Sequence, residues 1–538
     1  MIYRYVVKLN FGKIMIFNIS VIVFFESILL MLEPLFFGKV IDSITKKDTI
    51  LVKYISLIIL VFVGTTILSK IKTLYLIRIT SNVEKKVKID IFSQILKIQY
   101  IDYLKIDKGT LLNNIEEDSM IVSNLLNDLI EFFRCLATVI VTLIIMLKIN
   151  LLLTSIVVIF LPIEFIFFVV MGQILRVKIK DLAYLKDLYI NLINESFNGF
   201  KTIKAFGVQN DRKKHFIEET DRVYNLGIKK ANLDVNISLS ISIISFISRI
   251  AVIIVGGYLC LGGSLSIGTL VAFNAYAEKF KVEGNGLSSF SSMVQSVGVS
   301  LERINALYKE HNLEIEGVGN KFGYQKINTI EVKNLNFSYF KNTPVIDDFS
   351  FTFNRGKIYK INGDSGSGKS TFFDILSGLY QEKLIYIKIN HESISNASDY
   401  RNSIIYIDQN SYIFTQSIYE NISIYRSINI NIIKNICNKL DIDGIIENLP
   451  NKYNTIINSE TSLSSGQIQR ILIARAFVEK KDIYIFDETT AYLDRDNKIR
   501  FFELLKDISN DSIVIFSSHE DLKEVKKEVQ IEAIDVYV

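Results

Sequence analysis

Nine consecutive residues, Gly363-Asp364-Ser365-Gly366-Ser367-Gly368-Lys369-Ser370-Thr371, stand between an apolar stretch, KIYKI, and a helical one, FFDILSGL. Glycines at this spacing let successive backbone N–H groups turn toward phosphate oxygens at a helix N-terminus, where the macrodipole also favours negative charge. Lys369 is placed to reach the β and γ phosphates, and the Ser370 hydroxyl to ligate Mg²⁺. With an apolar strand before it and a helix after it, the run is a P-loop, and the expected ligands are ATP and Mg²⁺. A second strand, Asp482-Ile483-Tyr484-Ile485-Phe486, ends in Asp487-Glu488. The first carboxylate suits a magnesium ligand and the second a base aimed at water. Phosphoryl transfer depends on positioning and charge stabilisation, so a base beside the γ phosphate separates a hydrolase from a mere nucleotide binder.

Between these strands and beyond them stand further residues in a definite order. Leu463-Ser464-Ser465-Gly466-Gln467, followed by Ile468-Gln469-Arg470, resembles the signature motif of ABC ATPases. Gln409 in YIDQN is similar to that family's Q-loop, Ala491-Tyr492-Leu493-Asp494 to its D-loop, His519 in FSSHE to its switch histidine, and Tyr339 in NFSY to the aromatic that stacks on adenine. The resemblance implies that Gln409 and His519 join Glu488 in catalysis. It also makes Gln409 a metal contact beside Ser370 and Asp487, and Ser464, Ser465, Gly466 and Gln467 contacts to nucleotide held by a second subunit. Two departures stand out. Ser465 replaces a glycine of the signature and adds a side chain where backbone would approach phosphate, and Glu460 sits closer to the signature than the family places its acidic contact.

The resemblance runs through the first half as well. Glu33-Pro34-Leu35 with Gly38 and Asp42, then Gly109-Thr110-Leu111-Leu112 with Asp118, then 195–206 (ESFNGFKTIKAF), then Gly268-Thr269-Leu270-Val271-Ala272-Phe273, then Leu301-Glu302-Arg303-Ile304 resemble landmarks of ABC exporters in family order. By that analogy the segments near 109–118 and 206–214 form coupling helices that dock on the nucleotide-binding domain near Gln409.

These motifs need elements to hold them. A chain of 538 residues exceeds what one core usually serves. Apolar runs of about 20 residues, enough to cross roughly 30 Å of hydrocarbon, occur near 14–37, 51–75, 128–148, 150–172 and 238–262. A weaker sixth, near 265–285, is inferred from pairing. Lys and Arg crowd the stretches 76–125 and 176–232 and are scarce near 149 and 263, so the two long stretches are expected to be cytoplasmic. The reading is a six-helix membrane domain over 1–310, a linker over 311–327 and an α/β ATPase domain over 328–538. The first run is interrupted by Glu26 and Glu33, is too long for a cleaved signal, and is expected to stay in the mature protein. Little room for a regulatory tail is expected after His519, and no peptidase domain before the first helix.

Ionisable residues within the apolar runs, Glu26, Glu33, Glu131, Arg134, Glu164 and Arg249, are costly to bury. They line a polar substrate path or pair with one another, Glu164 with Arg249 being one such pairing. The formal net charge is +4, with no basic cluster interleaved with aromatics, which argues against a nucleic-acid surface. Cys135, Cys260 and Cys437 are too few and too far apart for a disulfide framework or a zinc site. The expected function is ATP-driven export or flipping of an amphipathic substrate (lipid, peptide or drug-like) across the cytoplasmic membrane by alternating access. A homodimer is favoured because every required motif lies in one chain; pairing with a different half-transporter stays open. An importer of the same fold and an ATP-binding sensor or channel are the alternatives, whereas the apolar runs contradict a soluble protein of this family.

Overall fold

The computed structural model describes residues 13–106, 108–309, 326–339, 344–364, 366–394, 396–397, 400–409, 411–458, 463–518 and 531–535. The chain divides into two compact units, one from 1–91 and 113–304, the other from 92–112 and 305–538.

The first unit is helical. Its long elements are α1 (Lys13–Lys46), α2 (Leu51–Ile95), α5 (Ser119–Ile149), α6 (Leu151–Asn198), α8 (Gln209–Leu261) and α9 (Ile267–Lys309). Among the described residues, Phe17–Lys46, Leu51–Ile95, Lys108–Ile149 and Gln209–Leu261 are long and apolar enough to cross a membrane. Large apolar side chains such as Ile59, Phe62, Ile144 and Phe246 point outward, as helices solvated by lipid require. The hydropathically weak α9 contributes Ala272, Phe273, Tyr276, Ala277 and Phe280 to the buried core, where they meet Met31, Met146, Leu153 and Val252. One face of α9 therefore packs on protein, which its mixed composition suits.

The landmark residues of this half have structural reasons. A Cβ on Gly38 would lie 2.4 Å from the Gly268 carbonyl oxygen, so α1 and α9 touch through backbone. Asp42 caps the start of α9, its Oδ1 accepting from the Gly268 N–H at 2.8 Å and its Oδ2 from Ser266 Oγ at 2.7 Å. Asp118, fully buried, faces Arg303 at 3.5 Å. Arg212 ties α8 back to the end of α6 through Glu195 Oε2 (2.9 Å) and Ser196 Oγ (2.8 Å).

The second unit carries α3 (Tyr100–Tyr103) and the sheets. A four-stranded antiparallel sheet has the order β2 (Pro344–Asn354), β1 (Thr329–Ser338), β4 (Ile387–Ile389), β5 (Glu392–Ser393). A five-stranded sheet has the order β6 (Ile404–Ile407), β7 (Ile483–Phe486), β8 (Ile513–Ser517), β3 (Ile358–Asn362), β9 (Ile531–Asp535), with every pairing parallel. The central strands are apolar on both faces, as a parallel sheet covered on both sides demands: β7 and β8 are buried throughout.

The analogy makes 109–118 a coupling helix for the ATPase domain; residues 92–112 belong to the sheet-bearing unit and 113–118 to the helical one. Residues 108–118 form helix α4 (Lys108–Asn113) and a π-turn (Asn114–Asp118) leading into α5. Asp118 at its end belongs to the helical unit. Within 92–112, Tyr100 and Ile101 lie against the core under β1 and β3, the Tyr100 ring meets Tyr380 edge-on at 6.2 Å, and Gln99 reaches Gln381 at 3.5 Å.

Candidate nucleotide site

The parallel sheet explains how residues so far apart in sequence converge. Loops leaving the carboxyl ends of β3, β6, β7 and β8 emerge along one edge, where open α/β sheets bind ligands. β3 delivers 363–371, β6 delivers Asp408-Gln409, β7 delivers Asp487-Glu488 and β8 delivers Ser517-Ser518.

Gly368, with φ of 80°, opens helix α10 (Lys369–Leu376). A Cβ there would sit 2.8 Å from the Val345 carbonyl oxygen, so only glycine fits. The Lys369 side chain is buried beneath the loop, its Nζ donating to the carbonyl oxygens of Gly363 (2.7 Å) and Asp364 (3.2 Å). Ser367 Oγ is buried with no hydrogen-bond partner among the described residues, which suits a cradle for phosphate. Ser365, His519 and Glu460 lie outside the described residues.

Asp487 is buried at the end of β7 and accepts from Ser517 Oγ at 2.6 Å. Burial pushes its carboxyl up; the hydroxyls of Ser370 and Ser517 and the Lys369 ammonium pull it back, against the repulsion of Glu488. Ser370 and Asp487 are thus neighbours and form the oxygen donor set that a hard cation such as Mg²⁺ prefers. Glu488 adopts a left-handed φ of 47°, a strained conformation for a residue with a side chain. Its N–H donates to Ser517 Oγ at 3.0 Å and its Oε2 accepts from Gln409 Nε2 at 2.9 Å. Ser517 therefore aligns both carboxylate residues. Sequence reading passed over it, although its place two residues before His519, at the end of a strand, was the available signal.

Tyr339 is half-exposed, and its hydroxyl lies 2.9 Å from Thr371 Oγ1 and 3.3 Å from the hydroxyl of Tyr380. Beneath the P-loop, burial pushes the Asp374 carboxyl up to about 6, the Tyr406 hydroxyl opposes the shift, and Asp487 and Asp408 reinforce it. Tyr380 and Asp374 carried no motif and were not anticipated.

The signature residues lie elsewhere in the unit. Ser464 caps helix α14 (Ser465–Phe477): its Oγ accepts from the Gln467 N–H at 3.3 Å, while the Ser464 N–H donates to Gln467 Oε1 at 2.9 Å. That helix packs in a core with Ile418, Ile422, Ile433 and Cys437, whereas the P-loop helix packs in another with Phe353, Tyr359 and Ile361. A Cβ on Gly466 would lie 2.8 Å from the Tyr492 carbonyl oxygen, so the signature glycine lets the helix start abut the 491–494 loop. Ser465 is exposed at the first helical position.

In the helical unit the intramembrane charges are paired. Lys72 bridges Glu26 (2.9 Å) and Glu131 (3.4 Å), and Arg134 bridges Glu131 (2.7 Å) and Glu283 (2.8 Å). Lys279 holds Glu33 at 3.2 Å. Glu164 does not pair with Arg249: its Oε1 accepts from Ser245 Oγ (2.7 Å) and Lys281 (3.3 Å), and Arg249 faces Glu278 at 3.3 Å. Helix rotation and stagger decide such partners, and neither is written in hydropathy.

Two family models match the chain: the ABC transporter transmembrane region over residues 16–280 and the ABC transporter domain over 346–491. A protein of Rickettsia bellii named as an export ATP-binding/permease protein is 27% identical, the match covering 90% of this chain and 84% of the relative. A like-named protein of Rickettsia typhi is also 27% identical, over 96% of this chain and 92% of the relative. A multidrug resistance ABC transporter ATP-binding and permease protein of Lactococcus lactis is 25% identical, over 82% of this chain and 76% of the relative.

Proposed function

The chain belongs to the ABC transporter family, as a membrane domain fused to one ATPase domain, and from that premise we propose that two copies of it work together to move an amphipathic substrate out of, or across, the cytoplasmic membrane. It is a multi-pass membrane protein with a cytoplasmic ATPase domain, and its ATP hydrolysis is coupled to export. The observation that carries the reading is the convergence of Lys369, Asp487, Glu488 and Gln409 at the carboxyl ends of neighbouring parallel strands, in the same chain as six long helices of which four, among the described residues, are apolar enough to cross a membrane.

In this reading the backbone of 363–371 cradles the phosphates of ATP, Lys369 leaves its two loop carbonyls for the terminal phosphates, and Tyr339 meets the adenine. Ser370, Asp487 and Gln409 would hold Mg²⁺, which when bound would offset the charge that develops on the phosphoryl oxygens. Glu488 takes a proton from the attacking water while Gln409 and His519 hold that water in line. The signature is the reason for two copies. The helix that Ser464, Ser465, Gly466 and Gln467 begin packs in a different core from the P-loop helix, and in this reading a second chain supplies these four residues to the nucleotide. ATP stabilises the closed pair, hydrolysis releases it, and the long helices convert that two-state change into alternating access.

Steady-state ATP hydrolysis by the purified chain in lipid nanodiscs, beside Glu488→Gln, tests this. Turnover that depends on Glu488 and rises more than linearly with chain concentration in detergent fits a complete homodimeric engine. Absence of turnover, or turnover unchanged by the substitution, overturns it.

A further inference from the structure

Within the helical unit, α6, α8 and α9 enclose a cavity of about 230 Å³ lined by Arg249, Glu278, Lys281, Ser245, Asn274 and Val282, among others. At 1.5 Å per residue, Glu164, Arg249, Glu278 and Lys281 lie about 16–21 Å from the turns that end α8 and begin α6 and α9. That depth lies within the hydrocarbon layer, where ionisable side chains are rare and mark substrate paths.

The two ion pairs here differ. Lys281 and Glu164 are nearly closed off, with side chains 15% and 9% exposed, and Ser245 adds a hydrogen bond to the carboxylate. Arg249 and Glu278 meet through one contact at 3.3 Å, with side chains 55% and 63% exposed. A pair kept only for packing would resemble the first. The second holds two opposite charges at the cavity's mouth with most of their hydrogen-bonding capacity unspent.

Resting on the export reading, we propose that this cavity binds the headgroup of a zwitterionic amphiphile, its anionic group on Arg249 and its cationic group on Glu278. An anionic or cationic ligand would leave one of the two charges without a partner at low dielectric, and a zwitterion leaves neither. The volume is below the range that holds a whole drug-sized ligand, so the cavity takes a headgroup. The apolar remainder lies along exposed Val282 at the rim and Phe246 and Ile253 on the helix that carries Arg249.

The test measures binding without needing turnover. Full-length Glu488→Gln chain in phosphatidylglycerol nanodiscs is titrated with lysophosphatidylethanolamine, lysophosphatidylglycerol and dodecyltrimethylammonium, and bound ligand is counted by native mass spectrometry. A second arm uses soluble glycerophosphoethanolamine, which separates a lipid source from a free headgroup. The zwitterionic lipid should bind roughly tenfold more tightly than either singly charged amphiphile, as for one charge left without its partner. Arg249→Gln should shift preference toward the cation and Glu278→Gln toward the anion, a reciprocal change that loss of packing would not produce. Equal binding of the three amphiphiles, a preference unmoved by both substitutions, or binding of the free headgroup alone overturns the proposal. Selective binding by a chain whose unsubstituted form lacks ATP turnover would overturn the export reading and leave this site standing.

Discussion

Gln409 Nε2 donates to Glu488 Oε2 across 2.9 Å, joining the end of β6 to the end of β7. The Gln409 amide from β6 and the Ser517 hydroxyl from β8 thus hold the same glutamate from the two strands that flank β7, one on its carboxylate and the other on its backbone. Glu488→Gln keeps the shape and removes the base. Turnover should fall by about 10²–10⁴-fold, the usual contribution of general base catalysis, while nucleotide still binds and the closed dimer accumulates. Rapid-quench hydrolysis with equilibrium nucleotide binding on the same sample checks both halves, and undiminished turnover would remove Glu488 from the role of base.

Lys369 offers a contrasting loss. Its ammonium sits on two loop carbonyls, not on a carboxylate, so no strong ion pair must break when phosphate takes it. Lys369→Ala should weaken ATP binding by roughly ten- to a hundredfold, the range of a lost charge-assisted contact. A fluorescent nucleotide titration reads this directly, and the thermal midpoint without nucleotide should hardly move.

The contrast between these residues and others shows what the sequence makes legible. The P-loop, Asp487-Glu488 and Gln409 stand at the ends of short apolar runs, and a parallel sheet places such run ends along one edge; the motif and its place are then one fact. The pairing of Glu164 with Lys281 and of Arg249 with Glu278 depends on the rotation of α6, α8 and α9 about their axes, which the ratio of apolar to polar residues along a helix does not determine. Helix α9 gives a faint signal because the face with Phe273, Tyr276 and Phe280 packs on protein, so the helix needs no continuous apolar run. Ser517 and Tyr380 have ordinary residue types, and only their neighbours in space give them a role.

The contact between α1 and α9 predicts a sharp steric limit. Gly38→Ala would drive a methyl group toward a backbone oxygen 2.4 Å away, and backbone on two packed helices does not yield cheaply. The cost should be about 1–3 kcal/mol, as for other overpacked cores. Asp42→Asn should be milder, since an amide oxygen still accepts from the Gly268 N–H. Unfolding midpoints in detergent, followed by tyrosine fluorescence, give the order, and equal midpoints for wild type and Gly38→Ala would refute the close packing.

Asp374 predicts a pH dependence with a definite sign. Burial raises its carboxyl from the ordinary value to about 6, so the folded chain holds that proton more tightly than the unfolded chain does. The associated stability is fully present below the ordinary carboxylate value and is lost as pH rises through about 6. Asp374→Asn removes the titration. Between about pH 4 and 7 the wild-type midpoint should fall relative to the variant's, leaving the variant more stable at neutral pH by on the order of 1–2 kcal/mol after allowance for partial exposure. Parallel curves across this interval would show that Asp374 ionises as freely in the folded chain as in the unfolded one.

Ser465 and Gly466 separate two reasons for glycine in one motif. Gly466 is needed within its own chain, because a Cβ would press on the Tyr492 carbonyl oxygen at 2.8 Å; Gly466→Ala should therefore shift the 491–494 loop and lower turnover. Ser465 is exposed at the start of α14, and the cap made by Ser464 and Gln467 does not involve it. Among the described residues nothing resists a change there, and in the two-chain reading its effect comes through nucleotide on a second chain. Ser465→Gly removes a side chain from that approach at a helix cost of roughly 0.5–1 kcal/mol. Turnover at saturating ATP should rise several-fold, with the affinity of isolated chains for nucleotide unchanged. A change in affinity without a change in turnover would mean that Ser465 acts within its own subunit, and the two-chain arrangement of the site would have to be abandoned.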